Sequence, residues 1–212
     1  MAGTGRTTLR RGTARRTVSR LRGFISDYCA GWIQSWGVHH IDTALWGAPA
    51  LQQTPLEVEG WATFPTEGLA DTSIHWAVTA RPVGEGPTLE FTDDANGEHG
   101  VRFIGERGWV HVTRGGIRAE PEELLETRFD PGDERLPVSN HHVRDFLEAM
   151  RTRRDPVSTV ESGHAATTLT LVADIATRLR RKLTWDWNAE RFVGDTAANA
   201  LLSRALRSPW HY

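Results

Sequence analysis

The chain has 212 residues, 39% of them hydrophobic with 20 glycines besides, a composition that suits one fair-sized globular domain or two small ones. No run approaches the roughly 18 apolar residues of a membrane span, and the single cysteine, Cys29, excludes an intramolecular disulfide and any multi-cysteine metal site. The net charge of −2 hides an asymmetry: residues 1–23 hold seven arginines and no acid, leaving 18 basic against 27 acidic side chains in the remainder, a balance that argues against a broad nucleic-acid surface.

Residues 1–24 read as a basic, disordered leader, because they offer little apolar surface to offset the entropy of ordering them. They lack the 7–15-residue apolar stretch of a secretory signal, so a cytoplasmic location is expected. The segment GWIQSWGVHHIDTALWG (31–47) is predicted to be helical, with Val38, Ile41, Ala44 and Leu45 on one face and Gly47 and Pro49 as its stop. Alternating strands are then predicted over 57–62, 73–78, 88–91, 100–104 and 109–112, the last two joined by the turn GERG (105–108). The last third returns to helix. A short one is expected over 120–127. Another, over 139–153, should be capped by Ser139 or Asn140 and carry a stripe of Val143, Phe146, Leu147 and Met150. A longer helix should run over 160–181, and a final one near 196–204.

Helix, then strands, then helices predicts a single α+β domain over 25–212, with a large, mostly antiparallel open sheet and helices on one face. No strand leads through GxGxxG into a helix, so no Rossmann domain is expected and the chain alone is expected to hold no dinucleotide cofactor.

The densest cluster of functional side chains lies on the first helix. Ser35, His39, Asp42 and Trp46 are spaced 4, 3 and 4, which puts them on one face of a continuous helix. A histidine with a carboxylate three residues on is a plausible acid/base unit, since imidazole titrates near neutral pH and the carboxylate can orient it or hold a hydroxyl. Trp36 and Trp46 offer flat apolar walls for the C–H face of a sugar, with His40 beside them. A metal site built from His39, His40 and Asp42 is a weaker reading. Adjacent helical residues diverge by about 100°, and a remote ligand such as His164 would be required; no metal is expected. For His141, His142 and His164, capping or packing roles are expected, and for Cys29 a small buried group. Trp61, Trp76 and Trp109 are candidate interface residues on the sheet.

The segment SWGVHHIDTALWG (35–47) resembles the signature helix of the glucose–fructose oxidoreductase, inositol dehydrogenase and rhizopine-catabolism (Gfo/Idh/MocA) family. So do GERGWVHVTRGG (105–116), SNHHVRDFLEAMRTRRDPVSTVESGHAATT (139–168) and RRKLTWDWNAERFVGDTAANALLSRALRSPW (180–210) with its bacterial-type C-terminal region. The resemblance covers about 25–212. It implies the C-terminal α/β domain of an enzyme whose Rossmann half binds NAD or NADP, and which acts on a sugar, sugar derivative or cyclitol. Carried over by position, His39 matches the family's catalytic histidine and Asp42 its substrate-side aspartate. Ser35 stands where most members have a first catalytic aspartate; serine cannot take a proton as a carboxylate does. The resemblance also implies a homo-oligomer through the sheet face and a Rossmann-domain partner; the acidic balance of the body and the lack of a long apolar run lead to no nucleic-acid or membrane partner being expected. The competing reading is a stand-alone binding or assembly module that has lost hydride chemistry.

Overall fold

Alternation in the middle of the chain becomes two antiparallel sheets in the computed structural model, which describes residues 21–210 apart from Asp94 and Asn96; most of the basic leader lies outside the described residues. The larger sheet has five strands in the order β3-β2-β1-β7-β8: β1 (Leu56–Thr63), β2 (His75–Pro82), β3 (Leu89–Thr92), β7 (Leu183–Asp186) and β8 (Arg191–Phe192). The smaller has β4 (Val101–Gly105), β5 (Gly108–Thr113) and β6 (Gly116–Glu120) in sequence order. Every pairing is antiparallel. The expected α+β architecture is present, with the strands divided five and three; β6, β7 and the two-residue β8 add to the five strands expected from alternation.

The core lies on one side of the larger sheet. Leu56, Val58 and Ala62 of β1, and Trp76, Val78 and Ala80 of β2, point inward at period two. They meet the long helix α4 (Val160–Leu179), whose small residues Ala165, Ala166, Ala173 and Ala176 let it lie close to the sheet, while Leu169, Val172 and Ile175 fill the gaps. Helix α4 begins where the Thr159 hydroxyl accepts from the Ser162 amide at 3.1 Å and ends at Arg180 in the left-handed region. The opposite face of the sheet is mixed: Glu57, Glu59, Trp61 and Thr63 on β1 stand beside Arg81, Thr79, Ala77 and His75 on β2. Trp76 therefore belongs to the core, at 6% exposure, and not to the outer face where an interface residue would sit; a shift of one residue along a strand reverses the side. Trp61 is exposed on the outer face, and Trp109 lies on the smaller sheet under the Arg102 guanidinium.

The first predicted helix is two helices. α1 (Trp32–Ser35) and α2 (Gly37–Gly47) are separated at Trp36, where the chain tightens and the His39 amide donates to the Trp36 carbonyl at 3.1 Å. Close approach explains two of its glycines. A Cβ at Gly37 would overlap the ring of Phe91 on β3, and one at Gly47 would overlap Phe103 on β4, so these positions dock α2 on both sheets. Further along, the expected 120–127 helix is a 3-10 turn, Glu122–Glu126. α3 (His142–Thr152) is capped by the His141 ring, whose Nδ1 accepts from the Arg144 amide at 3.2 Å, in place of Ser139 or Asn140. Its stripe of Val143, Phe146, Leu147 and Met150 is exposed in this chain. The final helix, α5, is short (Thr196–Ala200) and capped by Asp195.

Candidate functional site

The break at Trp36 changes what the 4-3-4 spacing does. Ser35 closes α1, while His39, Asp42 and Trp46 belong to α2, so Ser35 is not one regular turn before His39. Ser35 and His39 are both exposed, and the His39 ring meets the Trp36 indole edge-on at 5.4 Å. Asp42 is half-buried and committed elsewhere: its Oδ1 accepts from the Ser162 hydroxyl at 2.8 Å, tying α2 to the first turn of α4. Trp46 is also half-buried, one turn beyond.

Trp36 and His40 instead open onto a cavity of about 500 Å³ at the α1–α2 break. Trp32, Trp36, Trp76 and Phe91 form its apolar walls, and His40, His75, Asp93 and His99 supply its polar groups. The His40 and His99 rings pack edge to face at 4.6 Å, and His99 lies 6.0 Å from the Trp36 indole. Gly37 and Phe91 close the floor. His75 and Asp93 were not singled out by the sequence: the Nδ1 of His75 donates to Asp93 Oδ2 at 2.7 Å, and that carboxylate is 7% exposed. The only sequence signal for this pair was a histidine on the polar face of a predicted strand.

A second cavity of about 510 Å³ shares His40, Asp93 and His99 and reaches the smaller sheet. There Arg102, His111 and Arg118 are cross-strand neighbours. Glu98 ties them together, accepting from Arg102 at 2.7 Å and from Arg118, while Arg118 also donates to His111 Nδ1 at 2.9 Å. The hydrogen bond from Arg118 is the main reason the Glu98 carboxyl titrates below the ordinary range, with the Arg118 charge and Arg102 adding to it. On α4 the opposite occurs. Burial pushes Asp174 up despite its contact with Arg178 at 2.7 Å, because the other carboxylate oxygen is buried without a partner.

The metal reading does not assemble. His164 Nε2 pairs with Glu190 at 2.6 Å and Asp42 with Ser162, and among the described residues no group of three or more His, Cys, Asp or Glu is placed to hold an ion. Cys29 is half-buried, with its thiol 3.1 Å from the Gln34 side-chain oxygen. No helix among the described residues is long and apolar enough to cross a membrane.

A nicotinamide dinucleotide finds no cradle among the described residues either. Such a cradle needs a parallel strand turning through glycines into an open helix N-terminus. Here every pairing is antiparallel. The first turns of α3, α4 and α5 are closed by the side chains of His141, Thr159 and Asp195, and α2, whose first turn has no side-chain cap, follows α1 and not a parallel strand.

Comparison with known proteins agrees with this architecture. An oxidoreductase domain protein from Kribbella flavida superposes with a TM-score of 0.50 at 17% identity, over 76% of this chain and 52% of that one. An NAD-binding protein from Listeria innocua gives 0.49 at 12%, over 75% and 53%. The chain thus spans about half the length of the solved structures it matches. No curated protein matches it. The model of the oxidoreductase family's C-terminal alpha/beta domain matches residues 4–212, and with that match the chain belongs to the Gfo/Idh/MocA oxidoreductase family, as its C-terminal domain.

Proposed function

We propose that this chain is the substrate-binding part of an NAD(P)-dependent oxidoreductase acting on a sugar, sugar derivative or cyclitol, working with a Rossmann-type domain that carries the nucleotide. The observation that carries the reading is Trp36. Its indole is both a wall of the 500 Å³ cavity and the surface against which His39 packs, so an acid/base group adjoins an aromatic binding wall. In this reading His39 takes the proton of the reacting hydroxyl. Asp42, held through Oδ1 by Ser162, presents Oδ2 to a second hydroxyl, and Trp36, His40 and Trp46 bound the ligand. His39 and Ser35 are exposed, as groups that meet a second domain would be. The sheet's outer face, with Trp61 at its centre, is the proposed contact between subunits.

The test supplies the cofactor-binding domain, fused upstream or in trans, and follows NAD(P)-dependent alcohol oxidation. His39→Ala should lower kcat by about 10²–10⁴-fold, the usual worth of general-base help, while Asp42→Asn should mainly raise KM. Unchanged turnover for His39→Ala would overturn the assignment. A binding module without hydride chemistry is the second reading, favoured by Ser35 at the position where the family carries an aspartate. Ser35→Asp decides between them: a gain in turnover supports loss of activity in this chain, and no gain supports a different proton route.

A further inference from the structure

The hairpin of β5 and β6 brings a cation to the tryptophan wall. Thr113 pairs with Gly116, so the loop between the two strands is only Arg114 and Gly115. The Thr113 hydroxyl fixes this turn, accepting from the Gly115 amide at 3.1 Å and donating to the Gly116 carbonyl at 3.3 Å. From the tip, Arg114 reaches the break between α1 and α2, where its guanidinium carbon stands 5.3 Å from the centre of the Trp36 ring. That contact draws on the charge and leaves the N–H donors, which lie in the guanidinium plane. Among the described residues no carboxylate pairs with Arg114, and none of its donors has an acceptor. The charges around it are already engaged. Arg102 and Arg118 are both taken up by Glu98. Asp93, which lines the tryptophan-walled cavity, accepts from His75 Nδ1 at 2.7 Å and from the amides of Trp76 and Ala95 at 3.3 and 3.1 Å. Arg114 and His39 thus flank one indole, the first with its donors open and the second edge-on to the ring at 5.4 Å.

We propose that Arg114 is a specificity-determining residue that reads an oxyanion, carboxylate or phosphate, on the ligand of the tryptophan-walled cavity. With the reacting hydroxyl at His39, the oxyanion lies across the Trp36 indole and accepts from two guanidinium N–H groups side by side, the geometry in which arginine binds such groups best. The short turn and the indole hold the cation in place before the ligand arrives, which lowers the entropy cost of binding. The substrate class is then an anionic sugar derivative, a sugar acid or a sugar phosphate. The inference rests on the oxidoreductase reading above and adds to it a residue and a charge.

The test uses the 212-residue chain in phosphate-free buffer, followed by tryptophan fluorescence and calorimetry. It is titrated with D-glucose against D-glucuronate and glucose-6-phosphate, with D-galactose against D-galacturonate, and separately with NAD+. At least one anion should saturate, about tenfold or more tighter than its neutral parent, and its affinity should fall with added NaCl. Arg114→Ala should weaken that anion by about 10- to 100-fold, the worth of hydrogen bonds to a charged group, and leave the neutral sugar as it was. Arg114→Lys keeps the charge without the fork and should fall between. Because Arg114 is exposed, the melting temperature of both variants should stay that of the parent. Saturation by none of the anions, a neutral sugar binding as tightly as its charged counterpart, or an unchanged anion affinity in Arg114→Ala would each overturn the proposal. So would Arg114-dependent binding of NAD+ alone, which would give the cation to the cofactor. Anion binding that depends on Arg114 alongside turnover indifferent to His39→Ala would instead sink the functional reading alone.

Discussion

Gly37→Ala tests whether the docking of α2 on β3 is as tight as the structure shows. On helix propensity alone the change should help, since alanine is better than glycine within a helix by about 0.5–1 kcal/mol. Packing predicts the reverse. A Cβ at this position would overlap Phe91 Cζ, and the flanking ring carbons Cε2 and Cε1 stand at 3.2 and 3.5 Å from it. Phe91 is 8% exposed and packs against Trp76 at 5.9 Å between ring centroids, so any shift of its ring to make room must be toward the cavity it borders and away from that contact. Overfilling a packed site costs about 1–3 kcal/mol, so after the propensity gain the net loss should be about 1–2 kcal/mol. For a domain of this size that is a fall in Tm of roughly 2–8 °C. Urea unfolding of the parent, Gly37→Ala, Phe91→Leu and the double variant closes the cycle. The cost of alanine should shrink once the ring is gone, a coupling of about 1 kcal/mol between contacting residues. A Gly37→Ala variant as stable as the parent, or more so, would refute the packing argument and with it the account of why a glycine stands where α2 meets β3.

Breaking the Asp42–Ser162 hydrogen bond by Ser162→Ala should cost about 1–2 kcal/mol in urea, because it leaves a half-buried carboxylate without its donor; no loss would mean that Asp42 contributes nothing to holding α2 on α4. In acid, Glu98, Asp145 and Asp195 titrate low, held by the hydrogen bond from Arg118, by the Val157 amide and Arg154, and by Arg181 and the Ala198 amide respectively. A depressed folded pKa contributes stability that is present above the unfolded value, 3.8 for Asp and 4.5 for Glu, and is lost as pH falls through the folded one. Urea midpoints should therefore drop at the acid end, and less steeply in Glu98→Gln. Asp174 has the opposite sign. Burial raises it, so its contribution is complete below 3.8 and declines as pH rises through its folded value; Asp174→Asn should gain on the parent as pH rises from 3 to 7, and a constant difference would refute the assignment. If subunits meet on the outer sheet face, Trp61→Glu should convert an oligomer to monomer in sedimentation; a Trp61→Glu oligomer would move the interface elsewhere.

Much of the fold was legible because burial is one-sided. Where a strand packs one face on α4, period-two alternation marks it, as in Leu56, Val58 and Ala62. The smaller sheet was harder: β6 is largely exposed, so Gly116–Glu120 carries little alternation, and it is held by pairing to β5 instead. The stripe on α3 was legible as a pattern but not as a location. Val143, Phe146, Leu147 and Met150 recur at helical spacing, yet all four are about half exposed, since periodicity reports an apolar face without saying what covers it.

The site divides along the same line. Spacing arguments assume one unbroken helix, and on that assumption Ser35, His39 and Asp42 share a face. The overlap that a side chain at position 37 would make with Phe91 is a tertiary fact, invisible to local spacing, and it coincides with the tightening at Trp36 that sets Ser35 apart from His39. His39 stayed beside Trp36 because both flank that break. His75 and Asp93 are 18 residues apart and meet only because β2 and β3 pair in a particular register. No motif encodes that register; it is set by which residues of each strand the core accepts. Trp76 and Phe91 are those residues, and burying them in the same core turns His75 outward next to them and brings Asp93 within reach of its ring. The residues that build the cavity floor thus also set where His75 and Asp93 meet on its wall. A change at Phe91 should accordingly disturb binding as well as stability, which is how a single packing contact links the fold to the chemistry proposed for it.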